Sequence, residues 1–465
     1  MAKPRSVFCC TECGTQQPRW LGRCPGCGAW ETLIEELVAG DEPAATLLAP
    51  QLGGAAGKAI PLADVNTDGA PRLPTGIAEL DRVLGGGLVP GSVVLIGGEP
   101  GIGKSTLSLQ LAAQIEQKAG RVLYVTGEES LEQVRLRAER LGEIPRSLMV
   151  LSETRVEALA GPWREHSPAV VVIDSIQTAR TERIESAAGS VSQVRECAAL
   201  LSATAKNHGT ALVLVGHVTK EGTLAGPRVL EHLVDVVLNF EGDRSTPFRL
   251  LRASKNRFGS TQEVGIFTMG EKGLSAVENP SELFLAERRS GSPGSCIVPV
   301  MEGSRPVLLE VQALVAPAGY GTARRTCVGI DDGRVALLLA VLDRHSEIDL
   351  LSCDVYVNVV GGVRVTEPAA DLAVALAIAS SRLDKALPPD VAACGEIGLG
   401  GEVRRVGRLD QRLREAGRLG FGRVLVPSAV AAEAPSVDGA YGVEDIGQAV
   451  RWLFENAVSR PGERR

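Results

Sequence analysis

Residues 98–106 run Gly98, Glu99, Pro100, Gly101, Ile102, Gly103, Lys104, Ser105, Thr106, a G-x-x-x-x-G-K-S spacing between an apolar run and an amphipathic pattern. This arrangement cradles a nucleoside triphosphate. Glycines let the backbone turn tightly, so that its N–H groups, at the positive end of the following helix, point at phosphate oxygens. The Lys104 ammonium then reaches the β- and γ-phosphates, and the Ser105 hydroxyl meets Mg²⁺. Two more runs end in acids. Residues 169–174 form an apolar stretch closed by Asp174 and followed by Ser175; an aspartate at a strand end beside a phosphate loop positions Mg²⁺ through water. Residues 121–130 end in Glu128, Glu129 and Ser130, and either glutamate is a candidate to polarise the attacking water. We take Glu128 as that base, while an acid at a helix N-terminus is the structural alternative for one of the two.

Cys10, Cys13, Cys24 and Cys27 form a second constellation, C-x-x-C, ten residues, C-x-x-C. Two such knuckles place four thiolates around one tetrahedral ion, and Zn²⁺ is the expected one. A segment this short has no core of its own, so metal binding would supply its folding energy. Cys9 directly precedes the first knuckle, but only Cys10 gives the two-residue spacing. Cys197, Cys296, Cys327, Cys353 and Cys394 are scattered and read as small buried residues.

The elements that must position these groups follow from periodicity. Leu107, Leu111 and Ile115 recur at every fourth position, so the helix after the loop buries one face and aims its N-terminus at the nucleotide. Apolar runs at 93–97, 122–126, 169–173, 211–215 and 234–240 alternate with helical stretches, the pattern of an α/β sheet built from βαβ units. The domain reading is a zinc-binding module at 1–35, an Ala/Gly/Pro-rich linker at 36–72, an ATPase domain at 73–285 and a further domain at 290–465. In the last, strand-like stretches alternate with helices at 366–381 and 408–420. At 465 residues two or three domains are expected. No apolar run approaches the ~20 residues of a bilayer span, and the N-terminus lacks a secretory pattern, so a cytoplasmic protein with no membrane partner is expected. A net charge of −7 leaves any nucleic-acid role to local patches. Arginines crowd residues 404–423, and residues 244–257 carry Arg244, Arg249, Arg252, Lys255 and Arg257 without an acid.

With these residues laid out, the chain resembles the bacterial RadA/Sms family of DNA repair and recombination ATPases. The likeness spans the whole sequence: GRCPGCGAW (22–30), LPTGIAELDRVLGGGLVPGS (73–92), the phosphate loop, YVTGEES (124–130), VVVIDSIQT (170–178), GHVTKEG (216–222), AGPRVLEHLVD (225–235) and KNRFG (255–259). It implies a RecA-like P-loop ATPase core with an N-terminal four-cysteine zinc knuckle and a C-terminal Lon-protease-like α+β domain. It further implies an ATP-driven hexameric ring that binds single-stranded DNA and promotes branch migration of recombination intermediates with the RecA recombinase. By the same resemblance Lys104 and Ser105 match the nucleotide-binding pair, Asp174 the magnesium-associated acid, and Glu128 the position that activates water. Lys255, Asn256 and Arg257 match the motif that links nucleotide state to DNA, and His217 and Lys220 lie in a segment expected to sense γ-phosphate and reach toward DNA. The run FRLLRAS reads as a strand that delivers Lys255 and Arg257 to its far end, where in a ring they are expected to reach the γ-phosphate held by a neighbour or instead to hold DNA phosphates.

The C-terminal part is similar to the proteolytic domain of Lon, with one departure. Lon-like proteases pair a serine in a GPSAG-type stretch with a later lysine. Here that stretch is Glu367, Pro368, Ala369, Ala370, Asp371, and Asp410 falls where the lysine would be. A methyl group cannot attack a carbonyl. The expectation is a protease fold without proteolysis, reused for assembly and DNA contact, with arginines lining a ring. Two other functions stand beside the DNA-stimulated motor. One is an ATP-dependent protease of Lon type; the other is a nucleotide-switched binding module with little turnover.

Overall fold

The computed structural model describes residues 5–10, 15–26, 28–38, 61, 71–142, 144–216, 227–242, 248–319, 323–431 and 439–457. The chain divides into two compact units, Met1–Val277 and Glu278–Arg465.

The first unit opens with a small antiparallel sheet in which β1 (Arg5–Cys10) lies between β2 (Gln16–Gln17) and β3 (Leu33–Val38). After α1 (Ala78–Leu84) come β4 (Val93–Gly98), α2 (Lys104–Lys118), β5 (Val122–Thr126), α3 (Leu131–Leu141) and β6 (Met149–Ser152). They are followed by α4 (Ala160–His166), β7 (Val170–Asp174), α5 (Val191–His208), β8 (Ala211–Val215), α6 (Pro227–Leu233) and β9 (Val236–Glu241). Then β10 (Phe248–Asn256), β11 (Val264–Gly270) and β12 (Gly273–Ala276) complete a nine-stranded sheet of order β12-β11-β10-β9-β4-β8-β7-β5-β6.

From β9 to β6 every pairing is parallel. Helices therefore cover both faces and the inner strands are buried throughout, which is why they read as unbroken apolar runs. Successive residues go to opposite faces. Val94, Ile96, Tyr124, Val172 and Val213 pack with α1 to α3, whereas Val93, Leu95, Val125, Val171 and Leu212 pack with α5. Loops after these strands gather at their carboxyl ends, where ligands bind in such sheets.

The second unit carries α7 (Pro280–Leu285), β13 (Ser295–Glu302), β14 (Arg305–Pro317), β15 (Arg325–Val328), α8 (Asp332–His345) and β16 (Cys353–Val359). Next come α9 (Asp371–Leu383), β17 (Val391–Ala393), β18 (Glu396–Ile397), β19 (Val403–Arg404), α10 (Leu409–Arg418), β20 (Arg423–Pro427), α11 (Ser428–Ala431), β21 (Ala440–Val443) and α12 (Ile446–Asn456). Its main sheet has the order β15-β16-β14-β13-β17-β20-β21 and mixes parallel with antiparallel pairs. Helix α9 runs through the core, buried from Asp371 to Ser380. The helix expected at 366–381 starts later, after a 3₁₀ turn at Pro368–Ala370, since proline disfavours helix in the residue before it and is at home in a first turn.

Candidate nucleotide site

The phosphate loop joins the carboxyl end of β4 to the N-terminus of α2, with Gly103 as the helix N-cap at φ +116°. A β-carbon there would lie 2.6 Å from the Met269 methyl, and L side chains rarely adopt that φ. Lys104 is almost fully buried. Its Nζ donates to the carbonyls of Gly98 at 2.7 Å and Glu99 at 2.9 Å, so the lysine is wrapped by its own loop. Burial lowers the ammonium to about 8, with the charges of Asp174, Glu128 and Glu99 acting in the opposite direction. Ser105 and Thr106 follow in the first helical turn, half-buried.

Asp174 ends β7, two strands from β4. Its Oδ2 accepts a 2.6 Å hydrogen bond from the hydroxyl of Tyr124 in β5, whose own ionisation burial and the Asp174 charge push well above the ordinary phenol value. Glu128 is exposed at the end of the β5 loop. Its Oε1 accepts from Ser175 Oγ at 2.5 Å, while the adjacent Gly127 N–H donates to the Asp174 carbonyl at 2.9 Å. A β-carbon on Gly127 would meet Thr178 Oγ1 at 2.1 Å, so only glycine permits this approach. Glu129 points elsewhere and forms an ion pair with Arg137 of α3. Lys104, Asp174 and Glu128 are thus gathered at one end of the sheet, and Glu129 is drawn off by an arginine. Serine hydroxyl and carboxylate are the hard oxygen donors that suit Mg²⁺, and Ser105 and Asp174 would hold it, shielding phosphate charge.

KNRFG sits at the other end. Strand β10 is antiparallel to β9, so Lys255 and Asn256 face Val237 and Val236, at the start of β9 rather than its finish. Along the strand direction Lys255 and Asn256 are therefore three and four residues, about 10 and 13 Å, from the start of their own chain's phosphate loop. Arg257 Nη1 donates to Asp235 Oδ1 at 3.1 Å, and Asp235 Oδ2 accepts from the N–H of Val93, the first residue of β4. Lys255 Nζ donates to the carbonyls of Glu231 and Val234 at the end of α6, and burial lowers its ammonium. Asn256 holds the Val83 carbonyl at 3.2 Å. His217 and Lys220 lie outside the described residues.

In the N-terminal segment the Cys10 and Cys24 side chains are buried. The Gly26 N–H donates to Cys24 Sγ at 3.3 Å and the Gly28 N–H to the Cys24 carbonyl at 2.9 Å, a tight turn that suits a thiolate ligand. Cys13 and Cys27 lie outside the described residues.

The protease-like stretch of the second unit carries no nucleophile. Ala369 is buried and its carbonyl accepts from the Gly395 N–H. On one side of it the Glu367 carboxylate takes both Arg412 Nη1 and Nη2 at 2.7 Å. On the other, Asp371 pairs with Arg334 and accepts from the Ile397 N–H at 3.0 Å. Asp410 is exposed at the start of α10. The arginines expected to line a ring are largely committed: Arg404 pairs with Glu402, Arg418 with Glu415 and Arg423 with Asp390. Of the basic run at 244–257, Arg252 pairs with Glu241 and Arg249 is buried, and Arg244 lies outside the described residues.

Family models match three parts of the chain: an AAA domain over 61–223, a rubredoxin metal binding domain over 8–35, and the C-terminal proteolytic domain of Lon protease (S16) over 344–440. The chain is 52% identical over 431 residues to the DNA repair protein RadA of Bacillus subtilis (strain 168), covering 92% of this chain and 94% of that one. It is 51% identical over 459 residues to the protein of the same name from Pseudomonas aeruginosa, covering 98% and 100%. A KaiC-like protein of Pyrococcus horikoshii OT3 superimposes on 45% of this chain and 100% of its own, at a TM-score of 0.38 and 20% identity.

Proposed function

From the fact that this chain belongs to the RadA family of DNA repair proteins, we propose that it is a DNA-stimulated ATPase that binds single-stranded DNA and drives branch migration of recombination intermediates alongside a RecA-type recombinase. The observation that carries this reading is the gathering of Lys104, Asp174 and Glu128 at the carboxyl ends of the parallel strands. On this reading the loop binds the triphosphate and Lys104 offsets charge that develops on the β–γ bridge. Glu128 takes the proton of the attacking water, and Ser175 keeps its carboxylate turned toward the Asp174 end of the sheet. Mg²⁺, held by Ser105 and Asp174, supplies further neutralisation of phosphate charge.

KNRFG lies too far from its own chain's loop to act there, which favours action across a boundary between copies. A hexameric ring in which Arg257 faces a neighbour's nucleotide meets that requirement. In the same reading the four cysteines hold one zinc in a 1–35 module, 36–72 links it to the ATPase domain at 73–285, and the domain at 290–465 assembles the ring without cleaving peptide. Such a protein works in the bacterial cytoplasm. The test is ATP hydrolysis with and without single-stranded DNA, on particles of measured size. Several-fold stimulation by DNA in a hexamer is the expected result, and DNA-independent turnover by a monomer would overturn the reading.

A further inference from the structure

Tyr124 has no role in the reading above, yet it is the side chain that touches Asp174. It is 1% exposed and occupies the middle of β5, a position where the apolar neighbours Leu123 and Val125 are ordinary. A phenol hydroxyl in such a place costs free energy unless it is bonded. Here it meets two partners. It donates to Asp174 Oδ2 at 2.6 Å, and Ser108 Oγ of α2 lies 3.4 Å away. Ser108 is itself fully buried, and its single hydroxyl proton is shared between the Tyr124 oxygen at 3.4 Å and the Ser105 carbonyl at 3.2 Å. Ser105, Ser108, Tyr124 and Asp174 form a continuous polar chain from the helix that starts with the phosphate loop to the strand that ends in the acid. Because the donor is neutral, the carboxylate is oriented without losing its charge.

We propose that Tyr124 is a positioning residue: it holds Asp174 by Oδ2 so that the other oxygen faces the divalent cation of the bound nucleotide, and it thereby sets how much Mg²⁺ strengthens nucleotide binding. This rests on the nucleotide reading of the loop. Partners of a metal-associated carboxylate typically change metal affinity about 10–100-fold when removed.

The test uses the full-length protein and a fluorescent ATP analogue, titrated in EDTA and over a Mg²⁺ series. Tyr124→Phe, which removes only the hydroxyl, is expected to bind the analogue in EDTA as the wild type does. The Mg²⁺ concentration for half-maximal tightening should rise about tenfold or more. Ser108→Ala, which loosens the phenol from its other side, should shift it in the same direction by less. In an Asp174→Asn background Tyr124→Phe should add nothing, because the group it positions is gone. A wild-type Mg²⁺ response in a folded Tyr124→Phe protein overturns the proposal, as does an unchanged response in Ser108→Ala should Tyr124→Phe fail to fold. A wild type that binds the analogue but is not tightened by Mg²⁺ also overturns the proposal, whereas a folded wild type that does not bind the analogue at all overturns the nucleotide reading instead.

Discussion

Both units hold pairs of carboxylates, and they hold them by opposite means. In the nucleotide-binding unit Asp174 and Glu128 receive hydroxyls, from Tyr124 and Ser175. In the protease-like unit Glu367 and Asp371 receive guanidinium groups, from Arg412 and Arg334. A neutral donor fixes the direction of a carboxylate and leaves its charge available to a cation or a proton. A bidentate arginine satisfies both oxygens and cancels the charge, which suits a turn that only has to keep its shape. The comparison also separates the two glutamates after β5: Glu128 meets a serine and Glu129 an arginine.

The largest expected effect is at Lys104. Lys104→Ala removes the phosphate-facing cation while deleting hydrogen bonds only to its own loop, so ATP turnover should fall about 10⁴-fold with the thermal unfolding midpoint little changed. The Glu128/Glu129 contrast comes next. Glu128→Gln should slow turnover about 10³-fold at unchanged nucleotide affinity, since it removes the proton acceptor. Glu129→Gln should stay within about threefold. Equal losses in the two would break the comparison inside the first unit.

In the second unit the effect moves from rate to stability. Arg412→Ala leaves Glu367 without its cation, though with the Met301 N–H still donating to Oε1, and should cost about 2–3 kcal/mol in denaturant unfolding. That is below the usual figure for a fully buried pair, because Glu367 keeps 25% exposure. ATP turnover per folded molecule should be unaffected. A further effect is in pH. With the Lys104 ammonium at about 8, the protonated form that meets phosphate prevails below that value and is lost above it. Nucleotide affinity should therefore fall about tenfold between pH 7 and pH 9, and the slope should be missing in Lys104→Ala.

Much of the molecule was legible in the sequence. The phosphate loop carries its own spacing, and strands buried on both faces announce themselves as apolar runs, so β4, β5, β7 and β8 fall where the runs predict. Ala369 is equally plain. What stayed hidden depends on partners far along the chain. Tyr124 reads as one more core residue in an apolar strand until Asp174, 50 positions later, is seen to meet it. The arginines of 404–423 read as a basic face because Glu367 and Asp390, 45 and 33 positions before their partners, are not in view. KNRFG closes β10, but which end of the sheet it occupies follows from β10 running antiparallel to β9, and a run of residues carries no direction.

On the proposed function, this protein has one working site, around Lys104, while the turn at Ala369 serves as a structural joint. This is tested by assaying one preparation of the wild-type protein for ATP hydrolysis and casein cleavage together, with ATP, Mg²⁺ and single-stranded DNA present. We expect ATP turnover that depends on Lys104 and no cleavage of casein, including in Ala369→Ser, where a hydroxyl returns without a lysine partner. Casein cleavage by the wild type, in a preparation free of other proteases, would contradict the account.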